Sequence, residues 1–389
     1  MSEPPLVVPT EFIPSAAVER IRRASARPTG GLLPSSVVSL AMGEPDFDTP
    51  PEVVQAAIEA LNSGWTRYGD LNGDPELRAL IADQVSAVAA SPFAADQVLV
   101  THGGSAGLAA SILAVVSPGD RVVLPDPTYS MYADQVELAG GTVVPVPILP
   151  DGHLDFEALA PALRGARLFA FCNPGNPTGA VFDAAELRRL GELIEGTETL
   201  VLADEAYADF VYDGKPFCSA LSIPALAENL IYCQTLSKTY AMTGWRIGYL
   251  VAPRPVVAAI GCVHRSLNAS INAATQRAAL TALRLGPELS RPMLAEYQRR
   301  RDFSYQRLRQ IPGLSLAAPE GAFYAFARYN VELPSIEVVR RLIEHGVAVR
   351  AGREFGRNGE RHLRISFAAS LAALDEGLSR LEKGLASLG

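Results

Sequence analysis

The chain has 389 residues and a formal net charge of −8 at pH 7, with 48% hydrophobic and 20% charged residues. This composition excludes global disorder, and the length predicts two or three domains at roughly 150 residues each. The negative net charge argues against a nucleic-acid partner, because a surface that binds phosphate backbones needs an excess of Lys and Arg.

Short apolar runs alternate with helix-like segments between about residues 95 and 252. Buried strands are predicted at 97–101, 121–125, 166–172, 199–204 and 230–234. Helices are predicted between several of them, for example at 105–116 and at 184–196. This alternation predicts an α/β fold with a doubly wound, mostly parallel sheet that is covered by helices on both faces.

The C-terminal third has a different pattern. A long polar helix is predicted around 293–310. Strand-like runs follow it at 313–317, 322–327 and 363–368. We expect a smaller α+β domain here, with the N-terminal segment packed on it. The predicted bounds are 46–285 for the large domain, and 1–45 together with 286–389 for the small one.

Two further patterns bear on the cellular compartment. No uncharged apolar run reaches the length of a membrane span, and the N-terminus has no basic start followed by an apolar core. The cysteines lie far apart without a CxxC pair, at Cys172, Cys218, Cys233 and Cys262. They predict free thiols and neither a disulfide framework nor a zinc site. We therefore expect a cytoplasmic protein with no metal and no membrane partner.

Polar residues follow five of the predicted strands directly. In chain order they are HGGSAG, DPTYSMY, NPGNPTG, Asp204 with Tyr207, and TLSK. Ligands of a doubly wound sheet bind beyond the carboxyl ends of its strands. Each segment taken alone has a plain structural explanation, since glycine-rich turns and surface lysines are common. Only their joint occurrence predicts a binding site.

Longer motifs extend this pattern over nearly the whole chain. They are MGEPDFDTP, YGDLNGDPELR, HGGSAG, DPTYSMY, NPGNPTG, DEAY, TLSKTYAMTGWRIGY, PEGAFY and RISFA. In these motifs the chain resembles the fold-type I, class I/II aminotransferases, which use pyridoxal 5′-phosphate. NPGNPTG and the stretch from SK to WRIGY are the specific elements in this order and spacing.

The resemblance implies a role for each residue around the cofactor ring. Lys238 would hold the cofactor as a Schiff base and carry a proton, and Asp204 would keep the pyridine nitrogen protonated. Tyr207 and Asn176 would donate hydrogen bonds to the ring oxygen. Tyr129 would stack on the ring. Lys238, Asp204 and Tyr207 are thus the predicted catalytic residues.

The resemblance also implies a phosphate site and a substrate site. The phosphate would be bound by Gly104, Ser105, Ala106, Thr235, Ser237 and Arg246. Tyr68 would reach it from the second subunit of a homodimer with shared active sites. Gly43 and Asn176 would lie against the substrate, and Arg364 would bind its α-carboxylate.

Transamination between an L-amino acid and a 2-oxo acid is the reaction that the resemblance favours. β-Elimination by a C–S lyase, decarboxylation and oxidation use the same Lys, Asp and Arg and stay open. The sequence does not identify the amino donor or acceptor, because these contacts come from variable loops. Residues 351–352 read Ala-Gly where relatives commonly have Pro-Gly, so the sequence leaves open whether Arg353 faces the pocket.

Two alternatives belong to other classes of protein. Residues 103–107 satisfy the G-x-S-x-G pattern of an α/β-hydrolase, with Asp204 and His345 or His362 to complete a triad. That interpretation leaves NPGNPTG and TLSK without a role. A ligand-binding domain of a transcription regulator is the second alternative. It is disfavoured because the resemblance begins where a DNA-binding segment would have to lie.

Overall fold

A seven-stranded, mostly parallel sheet forms the centre of the computed structural model, which describes residues 13–28 and 33–388. The strands are β1 (Val38–Ser39), β2 (Val98–Thr101), β3 (Arg121–Asp126), β4 (Thr142–Pro147), β5 (Leu168–Cys172), β6 (Leu200–Asp204), β7 (Leu230–Thr235), β8 (Gly248–Val251), β9 (Leu314–Ser315), β10 (Tyr324–Tyr329), β11 (Val347–Ala348), β12 (Arg350–Ala351) and β13 (His362–Ser366). The large sheet has the order β2-β8-β7-β6-β5-β3-β4, and only β8 runs antiparallel to its neighbours.

The residues that the structure describes form thirteen α-helices, several of which cover the two faces of the large sheet. They are α1 (Ala16–Ala24), α2 (Pro51–Asn62), α3 (Pro75–Ser86), α4 (Gly103–Val115), α5 (Met131–Ala139), α6 (Phe156–Leu163), α7 (Ala184–Ile194), α8 (Leu236–Thr239), α9 (Arg254–Asn268), α10 (Ala273–Leu285), α11 (Arg291–Leu308), α12 (Ser335–Glu344) and α13 (Leu371–Ala386). Since α4 packs on α5 and α9 while α10 packs on α2 and α3, the sheet is enclosed between two helical layers.

Strand β5 shows how the apolar runs build two cores. All five of its residues are buried, and successive side chains of a strand point to opposite faces. Leu168 and Ala170 pack into one hydrophobic cluster, whereas Phe169 and Phe171 pack into the other. Burial on both faces explains why the strand is continuously apolar and not alternating.

The predicted fold class is confirmed, since the large sheet is mostly parallel and lies among helices. The five predicted strands correspond to β2, β3, β5, β6 and β7. The prediction did not include β4 and β8. Strand β4 lies at the sheet edge and contains Pro145 and Pro147, which lack the N–H group that a central strand requires.

The C-terminal elements form a second, four-stranded sheet of order β12-β13-β10-β9, in which all pairs are antiparallel. The N-terminal segment joins this part of the chain, because β1 pairs in parallel with β11. Leu40 extends the connection, with its N–H donating to Ala348 and its carbonyl accepting from Ser366, both at 2.8 Å. The domain bounds remain a prediction, and 1–12, 29–32 and 389 of the predicted small domain lie outside the described residues.

Two properties of the described chain concern membranes and metals. In the part of the chain that the structure describes, every helix is too short or too polar to cross a membrane. Within the same residues, no three His, Cys, Asp or Glu side chains come together in a group that could hold a metal ion.

Candidate active site

A cavity of about 290 Å³ lies beyond the carboxyl ends of β5, β6 and β7. All predicted site residues except Ala106 and Tyr68 line it. They are Gly43, Gly104, Ser105, Tyr129, Asn176, Asp204, Tyr207, Thr235, Ser237, Lys238, Arg246 and Arg364. The structure therefore brings together residues from the whole length of the chain, as parallel strands that end at one edge require.

Two predicted site residues, Ala106 and Tyr68, do not line this cavity. Ala106 belongs to the first turn of α4 but does not line the cavity. The side chain of Tyr68 is 94% exposed and lines a separate surface depression together with Trp65 and Arg277. Tyr68 consequently takes no part in the cavity of its own chain.

Asp204 is the buried carboxylate of the site. It is the last residue of β6, and its Oδ2 accepts a hydrogen bond from the Tyr132 hydroxyl group at 2.8 Å. The backbone N–H of Ala206 donates to Oδ1 at 3.2 Å. Burial raises the pKa of Asp204 to about 6, so the group is mostly ionised at neutral pH. A buried carboxylate of this kind favours a cationic partner.

Lys238 is the amine of the site. It lies in the short helix α8, directly after β7, and its Nζ donates a hydrogen bond to the Gly43 carbonyl oxygen at 2.6 Å. Burial lowers its pKa to about 8, and the positive charges of Arg246 and Arg364 act in the same direction. Roughly a tenth of this amine is therefore unprotonated at pH 7, far more than for an ordinary lysine, as a nucleophile or base requires.

Arg364 is held by polar contacts in β13. Its Nη1 donates to Asn176 Oδ1 at 3.0 Å and its Nη2 to the Ala41 carbonyl at 2.6 Å. The guanidinium carbon lies 4.3 Å from the centre of the Tyr324 ring and 4.8 Å from that of Phe355. Because the Asn176 oxygen is engaged by Arg364, its amide N–H groups are the atoms left to donate.

A phenol pair lies beside Arg364. The hydroxyl groups of Tyr207 and Tyr324 are 2.9 Å apart, and burial raises the pKa of both. Both phenols therefore stay protonated; one donates to the other, and one hydroxyl hydrogen is left for a ligand. The approach of Tyr324 also demands glycine at position 43, where a Cβ would lie 1.8 Å from the Tyr324 oxygen.

An anion site forms where α4 begins. The first N–H groups of a helix lack internal partners and carry a partial positive charge, and Gly104 and Ser105 at this helix start line the cavity. Arg246 packs so closely on Gly103 that a Cβ there would lie 2.7 Å from a guanidinium nitrogen. Thr235 and Ser237 add hydroxyl groups, 2.8 Å apart. This combination suits a phosphate group.

Four residues in or next to the cavity were not predicted from the sequence. Tyr132 and Tyr324 end the motifs DPTYSMY and PEGAFY, so their place in those motifs was the available signal. Arg27 and Arg350 also line the cavity and had no such signal. Arg353, left open by the sequence, lines a neighbouring cavity beside Glu354.

The hydrolase alternative lacks its histidine. Ser105 lines the cavity, but neither His345 nor His362 is among the lining residues. His345 contacts the Ser387 hydroxyl group at 3.0 Å, and His362 stacks on Phe326 with ring centres 4.7 Å apart. The G-x-S-x-G sequence serves here as the start of α4.

The donor set of the cavity fits pyridoxal 5′-phosphate. The aldehyde of that cofactor needs an amine, its pyridine nitrogen an anionic partner and its phosphate a cluster of donors. Lys238, Asp204 and the start of α4 with Arg246 supply these in one cavity. Tyr129 adds an aromatic ring to the wall, edge-on to Tyr132 at 5.4 Å between centres.

Comparison with known proteins gives consistent results. The family described as aminotransferase class I and II matches residues 35–381. A bifunctional aspartate aminotransferase and glutamate/aspartate-prephenate aminotransferase of Petunia hybrida is 34% identical over 96% of this chain and 81% of its own length. An aspartate aminotransferase of Pyrococcus horikoshii is 34% identical over 90% of each chain. The crystal structure of an aromatic aminotransferase from Pyrococcus horikoshii superimposes with a TM-score of 0.87 at 32% identity, covering 96% and 99% of the two chains.

Proposed function

Because this chain belongs to the class I and II aminotransferase family, we propose that Lys238 and Asp204 hold its cofactor in the cavity described above. The protein is a pyridoxal-phosphate-dependent aminotransferase, which moves an amino group between an L-amino acid and a 2-oxo acid. One observation carries the assignment of residues: a buried, largely ionised carboxylate and a buried amine with a lowered pKa line the same cavity.

The cofactor supplies an aldehyde that condenses with amines and a ring that withdraws electrons from the substrate Cα. With the cofactor bound, the carboxylate of Asp204 would keep the ring nitrogen protonated, because a buried anion favours the cationic form of its neighbour. Nζ of Lys238, whose lowered pKa leaves the amine available as a base, would accept the proton that leaves the substrate Cα. Tyr207 and Asn176 would donate to the ring oxygen.

The substrate α-carboxylate is proposed to bind Arg364. The planar guanidinium is fixed in orientation by Asn176, by the Ala41 carbonyl and by the ring of Tyr324. A fixed guanidinium can form two parallel hydrogen bonds with a carboxylate. The relatives differ in their named substrates, which include aspartate, prephenate and aromatic compounds.

We further propose a homodimer in which Tyr68 donates to the cofactor phosphate of the other subunit. Several apolar side chains close to it in the sequence are also exposed, namely Val54, Ile58, Leu61, Trp65 and Leu71, and Trp65 lines the same surface depression as Tyr68. Exposed large apolar side chains favour burial against another protein. The full exposure of Tyr68 in one chain supports a role across an interface, where a phenol donates to phosphate without adding charge.

A cytoplasmic location is the last part of the proposal. Its support is that all four cysteines are free thiols, including the buried Cys172 and Cys233. Reducing compartments keep thiols in this state. Cell fractionation with an antibody against the protein checks the location.

The reaction is tested with a panel of amino acids added to the holoenzyme. Transamination converts the visible spectrum to that of the aminated cofactor and releases one 2-oxo acid for each amino acid consumed. Ammonia or carbon dioxide in place of this exchange indicates elimination, oxidation or decarboxylation, and contradicts the proposal. Lys238→Ala is the matched control, because it removes the amine and retains the cavity.

A further inference from the structure

Positive charge exceeds negative charge in the wall of the cavity. Five cationic side chains line it, Arg27, Lys238, Arg246, Arg350 and Arg364, but only one carboxylate, Asp204. The proposed function gives roles to Lys238, Arg246 and Arg364. Arg27 and Arg350 have none. Buried or half-buried charge of one sign is unfavourable unless an opposite charge binds.

Arg350 lies directly opposite Arg364. The two residues are register partners on the antiparallel strands β12 and β13. Cβ atoms of such partners are about 4.5–5.5 Å apart on the same face of a sheet, and like charges in this position destabilise it. The guanidinium of Arg350 is therefore placed within reach of the same ligand that Arg364 binds.

Glu354 neutralises Arg350 only in part. Nη2 of Arg350 forms an ion pair with the Glu354 carboxylate, which also accepts a hydrogen bond from the Ala351 N–H at 3.1 Å. Nε of Arg350 has no hydrogen-bond partner among residues 13–28 and 33–388. Burial lowers the pKa of Arg350, and Arg364 and Arg27 repel its charge. This arrangement favours an additional anion beside Arg350.

Cations are the side chains of the wall that have no assigned role. The Arg364 guanidinium lies over one face of both Tyr324 and Phe355, and Tyr129 is assigned to the cofactor. Arg27 and Arg350 remain unassigned, and a guanidinium binds a carboxylate more strongly than an uncharged ring. The wall around Arg350 thus favours an acidic substrate side chain over an aromatic one.

We propose that Arg350 is a specificity-determining residue that binds the acidic end of the substrate side chain while Arg364 binds the α-carboxylate. The substrate class is then the acidic amino acids and their dicarboxylic 2-oxo acids. The inference rests on the proposed function for the position of the α-carboxylate. Arg27, which lies 3.8 Å from the carboxylate of Asp134, adds positive potential.

Binding and turnover are measured separately. Calorimetry on the holoenzyme compares succinate, an unreactive dicarboxylate, with propionate, a monocarboxylate. Kinetics compare kcat/KM for L-glutamate and L-alanine. Arg350→Met, which removes the charge and keeps the aliphatic chain, is expected to weaken succinate binding about tenfold or more and to lower the glutamate-to-alanine ratio by a similar factor. Propionate affinity should change much less.

Three further variants act as controls. Arg353→Met removes a charge from the same turn, but this charge lines the neighbouring cavity. The variant should leave succinate affinity and the glutamate-to-alanine ratio of kcat/KM as in the wild type. Glu354→Gln removes the competing carboxylate, so succinate should bind more tightly; this variant decides the question if Arg350→Met does not fold. Arg27→Gln should have a smaller effect than Arg350→Met.

Several results would overturn the inference. If Arg350→Met lowers kcat/KM equally for L-glutamate and L-alanine, Arg350 has a structural role through Glu354. If Arg27→Gln weakens succinate binding more than Arg350→Met does, the second carboxylate binds Arg27. Turnover of L-alanine without turnover of L-glutamate would refute the acidic substrate class and leave the proposed function intact. If no amino acid is transaminated, the proposed function fails, yet the succinate titrations still decide whether Arg350 binds a second carboxylate.

Discussion

The hydroxyl group of Tyr132 donates a hydrogen bond to Oδ2 of Asp204 at 2.8 Å, and both side chains are buried. This bond lowers the pKa of Asp204 against the larger effect of burial, which raises it to about 6. Tyr132→Phe removes the bond, so the Asp204 pKa should rise further. A protonated Asp204 cannot hold the ring nitrogen in its cationic form.

We therefore expect the acidic limb of the kcat profile to move to higher pH in Tyr132→Phe. The measurement is kcat between about pH 5 and 9 for the variant and the wild type, with far-ultraviolet circular dichroism to check folding. Tyr240→Phe is the control, because it removes the same atom from a buried tyrosine that has no hydrogen bond to Asp204. An unmoved acidic limb would show that Tyr132 does not tune Asp204.

The lowered pKa of Lys238 predicts how the apoprotein captures its cofactor. The free amine is the nucleophile, so the capture rate should rise as pH passes through about 8, well below the ordinary lysine value. Stopped-flow absorbance after mixing apoprotein with pyridoxal phosphate measures this rate. Borohydride reduction and peptide mapping then identify the modified lysine, and a label on any other residue contradicts the assignment.

The same pKa shift predicts a stability effect in the apoprotein. Between about pH 8 and 10.5 the folded chain binds fewer protons at Lys238 than the unfolded chain does, so the stability contribution of this residue rises with pH across that window. Lys238→Met should reduce the slope of the unfolding free energy against pH in this window. Urea denaturation at several pH values measures that slope. If the unfolding free energies of the wild type and the variant have the same pH dependence, the pKa of Lys238 is not lowered by burial.

Arg364→Ala should raise KM for every amino acid, because the α-carboxylate is common to all of them. The loss of one partner from a desolvated charge pair costs about 2–5 kcal/mol in kcat/KM. Cofactor affinity, measured by fluorescence quenching, should change little, and Arg364→Lys should recover part of the loss. Unchanged kcat/KM for all substrates would remove Arg364 from the binding site.

Tyr68 is tested in a mixed dimer. One subunit carries Tyr68→Phe together with Lys238→Ala and the other is wild type, so the only site with a lysine lacks the partner's hydroxyl group. This site should bind cofactor more weakly than in a control dimer with Lys238→Ala alone. Equal affinities in the two dimers, or an active monomer, would show that Tyr68 does not act across an interface.

The sequence predicted the centre of the sheet well for a physical reason. Strands β5 and β6 are buried on both faces, so they are apolar at every position and are flanked by polar residues. Strand β4 lies at the edge, where prolines are tolerated and burial is partial, so it lacks this signal. Strand β8 is as short and as fully buried as the predicted strand β2, so neither length nor burial explains why it was missed.

The site was predictable where a motif fixed the chemistry, as at Lys238. Tyr132 was harder to identify, because a buried tyrosine in a helix has the same sequence signal whether it packs or donates to a carboxylate. Arg350 was not predictable, since its strand has two residues and only the pairing with Arg364 shows which face it occupies. Exposure of Tyr68 likewise required the structure.

The pairing of Val38 with Val347 fixes the order in which a nascent chain can finish its structure. All strands of the large sheet have been synthesised at Val251, but Val38 has no partner until Val347 emerges. At about 5–20 residues per second, the ribosome needs roughly 5–20 s for that interval. Arg364 follows later still, so the proposed substrate site can assemble only after most of the 389 residues have been made.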